Sequence, residues 1–151
     1  MKEKLLVSAC LLGETCRYDG KSNLIPAVEA LRERFELVPV CPEQLGGLPT
    51  PRIPSERVGE RVLSREGADV TEAFRLGAER AAALSQGAAR ALLKERSPSC
   101  GSRYIYDGTF SGRVVPGMGV AAELLAGKGV AVYSEECVEL LLDEREAGHR
   151  T

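Results

Sequence analysis

Ala88-Ala89-Arg90-Ala91-Leu92-Leu93-Lys94-Glu95-Arg96-Ser97-Pro98-Ser99-Cys100-Gly101-Ser102 is the stretch whose reading decides the fold. Its first half is a short apolar run that reads as a buried strand over about 89–95. Its second half cannot continue that strand. Pro98 removes a ladder donor, and Ser97, Ser99 and Gly101 favour a turn with exposed backbone N–H groups. A cysteine in such a turn sits among dipoles that favour thiolate over thiol. Two other apolar runs end in the same way: Leu5-Leu6-Val7-Ser8-Ala9 leads into Cys10, and Phe35-Glu36-Leu37-Val38-Pro39-Val40 leads into Cys41-Pro42-Glu43. In open α/β sheets the carboxyl ends of the strands form the ligand-binding rim. Three cysteines at three such ends are hard to attribute to packing.

Working outward, the first strand spans about 4–10 and the second about 36–41. Pro26 suits a helical first turn, and Ala27, Leu31 and Phe35 mark a helix over 26–34. Residues 42–68 are dense in Pro and Gly, a length and composition that suit a functional insert carrying Glu43, Arg52 and Glu56. A small hairpin strand is expected from Val58 to Leu63. Asp69 with Glu72 has capping-box spacing, and Phe74, Ala78, Ala81 and Ala82 give the buried face of a helix over 71–86. Tyr104 to Phe110 reads as two short extended pieces around a turn, forming a flap. Gly117 and Gly119 open a helix over 117–127, and a fourth strand spans 129–133. Ser134 caps a last helix. The tail from Arg145 to Thr151 is charged and expected to fray.

Strands alternating with helices imply right-handed crossovers and a parallel sheet. The expected fold is therefore α/β: one domain over 1–151, three-layer and Rossmann-like. Its four-stranded parallel sheet has the order 2-1-3-4, with helices on both faces. The switch point lies between strands one and three, where Cys10, Cys41 and Cys100 would crowd one rim.

Composition narrows the function. The chain has 151 residues, 44% hydrophobic and 28% charged, with a formal net charge of -2. That balance carries no electrostatic footprint for duplex nucleic acid. No apolar run is long enough to span a bilayer. Met1-Lys2-Glu3-Lys4 leads into a strand with no small-residue cleavage site, so a cytoplasmic location is expected. There, five cysteines favour metal binding or catalysis over disulfides.

Adjacent strands lie about 4.8 Å apart, so the strands leading to Cys41 and Cys100 would be roughly 10 Å apart. That separation makes a poor disulfide but a reasonable pair of ligands. Three thiolates suit zinc or an iron–sulfur cluster, although C-x-x-C pairs are absent. Cys137 shares helical spacing with Leu140 and Leu141 and reads as core. Cys16 is open between a fourth ligand, a reactive thiol and no role. Glu43 reads equally as a proton donor or a capping carboxylate. Arg17, Asp19 and Arg52 read as turn or surface residues, and His149 in the tail as non-catalytic. Two further classes remain: a structural or regulatory zinc protein on the same thiolates, and a thiol-redox or sulfur-transfer protein using Cys10 and Cys16.

The motifs Ser8-Ala9-Cys10-Leu11-Leu12-Gly13, Cys16-Arg17-Tyr18-Asp19-Gly20, Cys41-Pro42-Glu43, Gly46-Gly47-Leu48, Pro51-Arg52, Asp69-Val70-Thr71, Ser97-Pro98-Ser99-Cys100-Gly101 and Tyr106-Asp107-Gly108-Thr109-Phe110 together resemble the thiouracil desulfidase (TudS-like) family. The resemblance covers about residues 5–136. It implies a [4Fe-4S] cluster held by Cys10, Cys41 and Cys100, with the fourth iron open to the sulfur of a thiolated pyrimidine. It places Glu43 and Ser99 at positions that assist proton transfer and placement of water or substrate, and Cys16 nearby. Ser8, Arg17 and Asp19, from the same motifs, are expected to contact substrate. The implied reaction is hydrolysis of a carbon–sulfur bond, with a small thiopyrimidine as partner. The turn after Ser99 is expected to offer donors for developing negative charge.

Overall fold

The computed structural model describes residues 2–142, and the charged tail with His149 lies outside that range. Strand β1 (Glu3–Ser8) is central and apolar because both its faces are covered. Leu5 and Val7 point to one core and Leu6 to the other, as a strand's period of two requires. A 3-10 turn, Ala9–Leu12, follows and closes on Gly13 in the left-handed region. Cys10 therefore lies two residues beyond the strand, where sequence placed it inside. Helix α1 (Pro26–Glu29) passes into a 3-10 turn, Ala30–Glu33, so the expected single helix is in two parts. Val28 and Leu31 still bury their side chains, and Phe35 belongs to the next strand.

Strand β2 (Phe35–Val40) pairs parallel with β1 and runs into helix α2 (Pro42–Leu45), with Cys41 as its N-cap. The insert then forms an antiparallel hairpin of β3 (Ser55–Val58) and β4 (Arg61–Ser64). Helix α3 (Thr71–Leu84) follows. Asp69 Oδ1 accepts from Thr71 N at 2.9 Å, but Glu72 pairs with Arg75, so the capping box does not close. Strand β5 (Arg90–Leu93) pairs with β1 and is buried along its whole length.

The flap is a hairpin of β6 (Tyr104–Tyr106) and β7 (Val114–Pro116). Its second strand lies beyond Phe110, because residues 107–113 make the connecting loop. Helix α4 (Val120–Gly127) starts three residues later than the glycines suggested. Gly119 is extended instead, and a Cβ there would stand 2.4 Å from the backbone of Ser99. Strand β8 (Ala131–Ser134) completes the sheet beside β5. The Ser134 hydroxyl accepts from Glu136 N at 3.1 Å and caps a 3-10 turn, Glu135–Cys137, ahead of helix α5 (Glu139–Leu142). Cys137 is half-buried there and Leu140 is exposed. Of that trio only Leu141 reaches the core, because the 3-10 turn shifts the helical phase.

The sheet order is β2-β1-β5-β8, which is the expected 2-1-3-4 once the two hairpins are set aside. One core unites Leu5, Val7, Leu92, Val28, Leu31, Phe35 and Leu141 on the α1 and α5 side. The other unites Leu6, Ala91, Leu93, Ala122 and Leu125 on the α4 side, with Ala82 of α3 packed against it. Helices thus cover both faces of a three-layer, Rossmann-like α/β fold. Each fully buried leucine stabilises it by about 1.5–3 kcal/mol. Among the described residues no helix is long and apolar enough to cross a membrane.

Candidate active site

The turns that leave β1, β2 and β5 meet at the carboxyl edge of the sheet, on either side of the β1/β5 switch point. They enclose a cavity of about 420 Å³ whose wall includes Cys10, Cys16, Cys41 and Cys100. All four are free thiols. Each turn is fixed by local chemistry. The carbonyl of Cys10 accepts from Gly13 N and Asn23 N, and the Asn23 amide donates to Cys10 Sγ at 3.3 Å.

Cys41 is held by backbone contact between α2 and α3. A Cβ on Gly77 would stand 1.8 Å from the carbonyl oxygen of Pro42, so only glycine lets the two helices come this close. The turn carrying Cys100 rests on α4, whose free N–H groups at Val120 and Ala121 donate to the carbonyls of Pro98 and Ser99, both at 2.9 Å.

The expectation that this turn exposes backbone donors is not met. Ser99 N and Cys100 N donate to Ser97 Oγ at 3.1 and 3.0 Å, Gly101 N donates to Ser97 O, and Ser102 N to Glu95 Oε1. The serines that made the turn legible also consume its donors. The donor left facing the site is the Ser99 hydroxyl, which donates to Glu43 Oε2 at 2.9 Å. Its one proton is then committed, so its 3.0 Å contact with Ser97 Oγ has Ser97 as donor.

Glu43 is the junction of the site. Its Oε1 accepts from Arg52 Nε at 2.9 Å, and Arg52 Nη2 donates to the carbonyl of Cys16 at 2.9 Å. The Arg52 side chain is only 8% exposed and Glu43 15%, so Arg52 is not the surface residue that sequence suggested. Arg52 N also donates to Tyr18 O at 2.7 Å. The arginine thereby ties the Pro- and Gly-rich insert to the Cys16 loop.

Arg17 lines the cavity, donating to Asn23 Oδ1 at 2.8 Å and to Asp19 Oδ2 at 3.0 Å. Asp19 stands behind Arg17, outside the cavity wall, because its other oxygen accepts from Lys21 N within the turn. Ser8 lies in the wall, almost fully buried, with its Oγ accepting from Lys94 N at 2.9 Å. Cys137 is not in the wall.

Sequence reading passed over Glu95. Flanked by Lys94 and Arg96, it looks solvated, yet it is 2% exposed. Its Oε1 accepts from the N–H groups of Arg96, Ser102, Arg103 and Tyr104 at 3.1–3.3 Å. The carboxylate is thus the hub around which the Cys100 turn is wound. Burial alone would raise its pKa, but these hydrogen bonds outweigh burial and hold the carboxyl below its ordinary value.

The cysteines divide by proton affinity. Hydrogen bonding to Cys16 holds both Cys10 and Cys41 to a pKa of about 7, against the opposing effect of burial. The same contacts push Cys16 up, so it keeps its proton. Burial raises Cys100 to about 12, opposed chiefly by the Ser8 hydroxyl. Soft sulfur donors on three separate segments, buried at Cys10 and Cys100 and half-buried at Cys41, are the chemistry of an iron–sulfur ligand set. Among the described residues no three His, Cys, Asp or Glu are grouped to hold a single metal ion. Tetrahedral zinc, with Zn–S of about 2.3 Å, would need its sulfurs gathered within about 4 Å of one another.

A family model described as 2-thiouracil desulfurase matches residues 5–137. The chain belongs to the 2-thiouracil desulfurase family. Its similarity to other members runs the length of the fold. The Bacillus subtilis (strain 168) protein YbbK, itself uncharacterized, is 41% identical across 87% of this chain and 95% of its own. The solved structure of the [4Fe-4S]-dependent thiouracil desulfidase TudS matches with a TM-score of 0.88 and 48% identity, over 93% of this chain and 96% of that one. The family match over residues 5–137 spans the sheet, the insert and all three cysteine turns.

Proposed function

We propose that this chain is an iron–sulfur-dependent desulfidase that hydrolyses a thiolated pyrimidine, a thiouracil or a thiouridine nucleotide, to the uracil or uridine product and sulfide. Family membership and the 48% identity to TudS support the activity class. The observation that supports the mechanism is the Ser99–Glu43 hydrogen bond, which joins the residue two beyond Cys41 to the residue just before Cys100 in the wall of one cavity.

Cys10, Cys41 and Cys100 would hold the [4Fe-4S] cluster, and three free sulfur donors in the wall of one cavity fit it. When bound, the cluster supplies a soft Lewis-acidic site for the sulfur of the thiocarbonyl. Glu43 takes one proton from the attacking water as oxygen adds to the thiocarbonyl carbon and returns it to the sulfur as the carbon–sulfur bond breaks; the proton left on the added oxygen goes to solvent as the carbonyl forms, so water and thiocarbonyl give carbonyl, hydrosulfide and one proton. One C=O forms, one C=S is lost, and no electrons change hands. Ser99 and Arg52 hold the two Glu43 oxygens, Oε2 and Oε1 respectively, and so fix the orientation of its carboxylate. Cys16 lies in the same cavity wall as the three ligands. Arg17, anchored by Asp19 and Asn23, and Ser8 complete the substrate side of the wall. We assign the enzyme to the cytoplasm and give it no nucleic-acid duplex as partner, in keeping with its near-balanced charge.

The test is anaerobic turnover of 2-thiouracil in ¹⁸O-labelled water by protein reconstituted with iron and sulfide. The expected result is labelled uracil and sulfide in equal amounts. Turnover by metal-free protein, or product without label, would contradict it.

A further inference from the structure

The loop between β6 and β7 carries Phe110 into the wall of the same cavity. Phe110 is not a glycine, yet its φ is 57°, in the left-handed region that β-branched and bulky residues avoid. A specific device holds it there. Glu56 Oε1, on β3, accepts from Gly108 N at 2.8 Å and Phe110 N at 3.1 Å. Glu56 is 8% exposed, a buried carboxylate committed to two loop amides. The loop also rests directly on β3, since a Cβ on Gly108 would stand 2.4 Å from Val58 Cγ2. Its tip is closed by Thr109 N and Oγ1 donating to Asp107 Oδ1. A half-buried phenyl ring is therefore fixed in the cavity wall, with the Arg65 guanidinium over it, 5.7 Å from its centroid.

A strained backbone of this kind is costly and persists only where the surroundings over-determine it. Nothing in the packing of the two cores requires this ring, because Phe110 belongs to neither. We propose that Phe110 is the stacking platform for the planar ring of the substrate, and that Glu56 is the positioning residue that sets the platform's height. This deepens the desulfidase reading and rests on it for the reaction, though not for ring binding. Base–aromatic stacking is tolerant of ring substituents, so the platform selects heteroaromatic thiocarbonyls over acyclic ones without choosing among thiopyrimidines.

The experiment separates ring binding from chemistry. Uracil has the ring but no sulfur, and its binding to the anaerobically reconstituted protein is measured by titration calorimetry. Steady-state turnover of 2-thiouracil and of acyclic thiourea is followed alongside. Phe110→Ala is expected to weaken uracil roughly tenfold and to raise KM for 2-thiouracil by a similar factor, with the loss falling on KM rather than kcat. Phe110→Tyr is expected to restore binding. Glu56→Gln is expected to weaken uracil in the same direction and to speed amide exchange at Gly108 and Phe110, a readout independent of turnover. Uracil binding to Phe110→Ala at parental strength would overturn the proposal, as would a parent that binds no uracil. If the parent binds uracil, loses it in Phe110→Ala and turns over no thiouracil, the platform stands and the desulfidase reading falls.

Discussion

Glu43 Oε2 lies 2.9 Å from the hydroxyl of Ser99, and this single contact joins the turn after β2 to the turn after β5 across the mouth of the site. It couples the residue two beyond Cys41 to the residue just before Cys100. Glu43→Gln preserves the side chain's shape but cannot carry a proton. General acid–base groups contribute about 10²–10⁴-fold, so kcat is expected to fall in that range with iron content unchanged. Ser99→Ala removes one hydrogen bond worth about 1 kcal/mol net and is expected to cost roughly fivefold. Parallel anaerobic assays check both, and a full-rate Glu43→Gln enzyme would make Glu43 a bystander.

Arg52→Met tests the support behind Glu43. Removing one partner from a buried ion pair typically costs about 3–5 kcal/mol, because a charge is left uncompensated. Here the Cys16 carbonyl loses its donor as well. Urea unfolding is expected to show a loss toward the lower end of that range, because both side chains retain slight exposure. The double variant Arg52→Met/Glu43→Gln is expected to recover part of the stability, since it removes the stranded charge.

Much of this architecture is legible in the sequence, and the failures have physical causes. Leu5 to Val7 and Ala91 to Leu93 are unbroken apolar runs, so they announce a doubly covered parallel sheet and its order. The cysteine turns follow from Pro42 and Pro98, which stop strands. Helix α4 was expected three residues early, because Gly119 reads as a helix opener when its role is backbone contact with Ser99. Arg52 reads as a turn or surface residue and Glu95 draws no notice, since a buried ion beside a polar turn has no one-dimensional signature. The same serines that predict the Ser97–Ser102 turn also predict free N–H groups, and only three dimensions show Ser97 Oγ and Glu95 occupying them.

A substitution far from the cavity in sequence should disturb it. Gly77→Ala places a methyl 1.8 Å from the Pro42 carbonyl, where neither backbone can yield cheaply. Overpacking of this kind costs about 1–3 kcal/mol and would displace α2, with Cys41 and Glu43 at its start. Lower thermal stability together with reduced iron loading is expected. Gly127→Ala is the control: nothing lies within 4 Å of its added methyl, and it should be neutral or slightly stabilising. Equal iron content in the Gly77→Ala variant and the parent would refute the coupling.

Glu95 gives a pH signature. Its folded-state pKa is depressed, so its contribution to stability is fully present above the unfolded value of about 4.3 and is lost as pH falls through the folded value. Glu95→Gln should therefore be less stable than the parent at neutral pH, and the gap should narrow as pH drops below about 4. Denaturant unfolding at stepped pH checks this. A gap that stays constant would mean that Glu95 holds its turn by shape alone.

The central claim is that Cys10, Cys41 and Cys100 carry the cluster on which turnover depends. The direct measurement is iron and acid-labile sulfide per chain, with 2-thiouracil turnover, in anaerobically reconstituted single Cys→Ser variants at all five cysteines. Replacing Cys10, Cys41 or Cys100 is expected to abolish both cluster content and activity, while Cys137→Ser, whose half-buried thiol lies outside the cavity wall, keeps both. Cys16→Ser is expected to retain iron, because Cys10, Cys41 and Cys100 all remain to hold the cluster. Parental iron content and turnover in the Cys100→Ser variant would contradict the account.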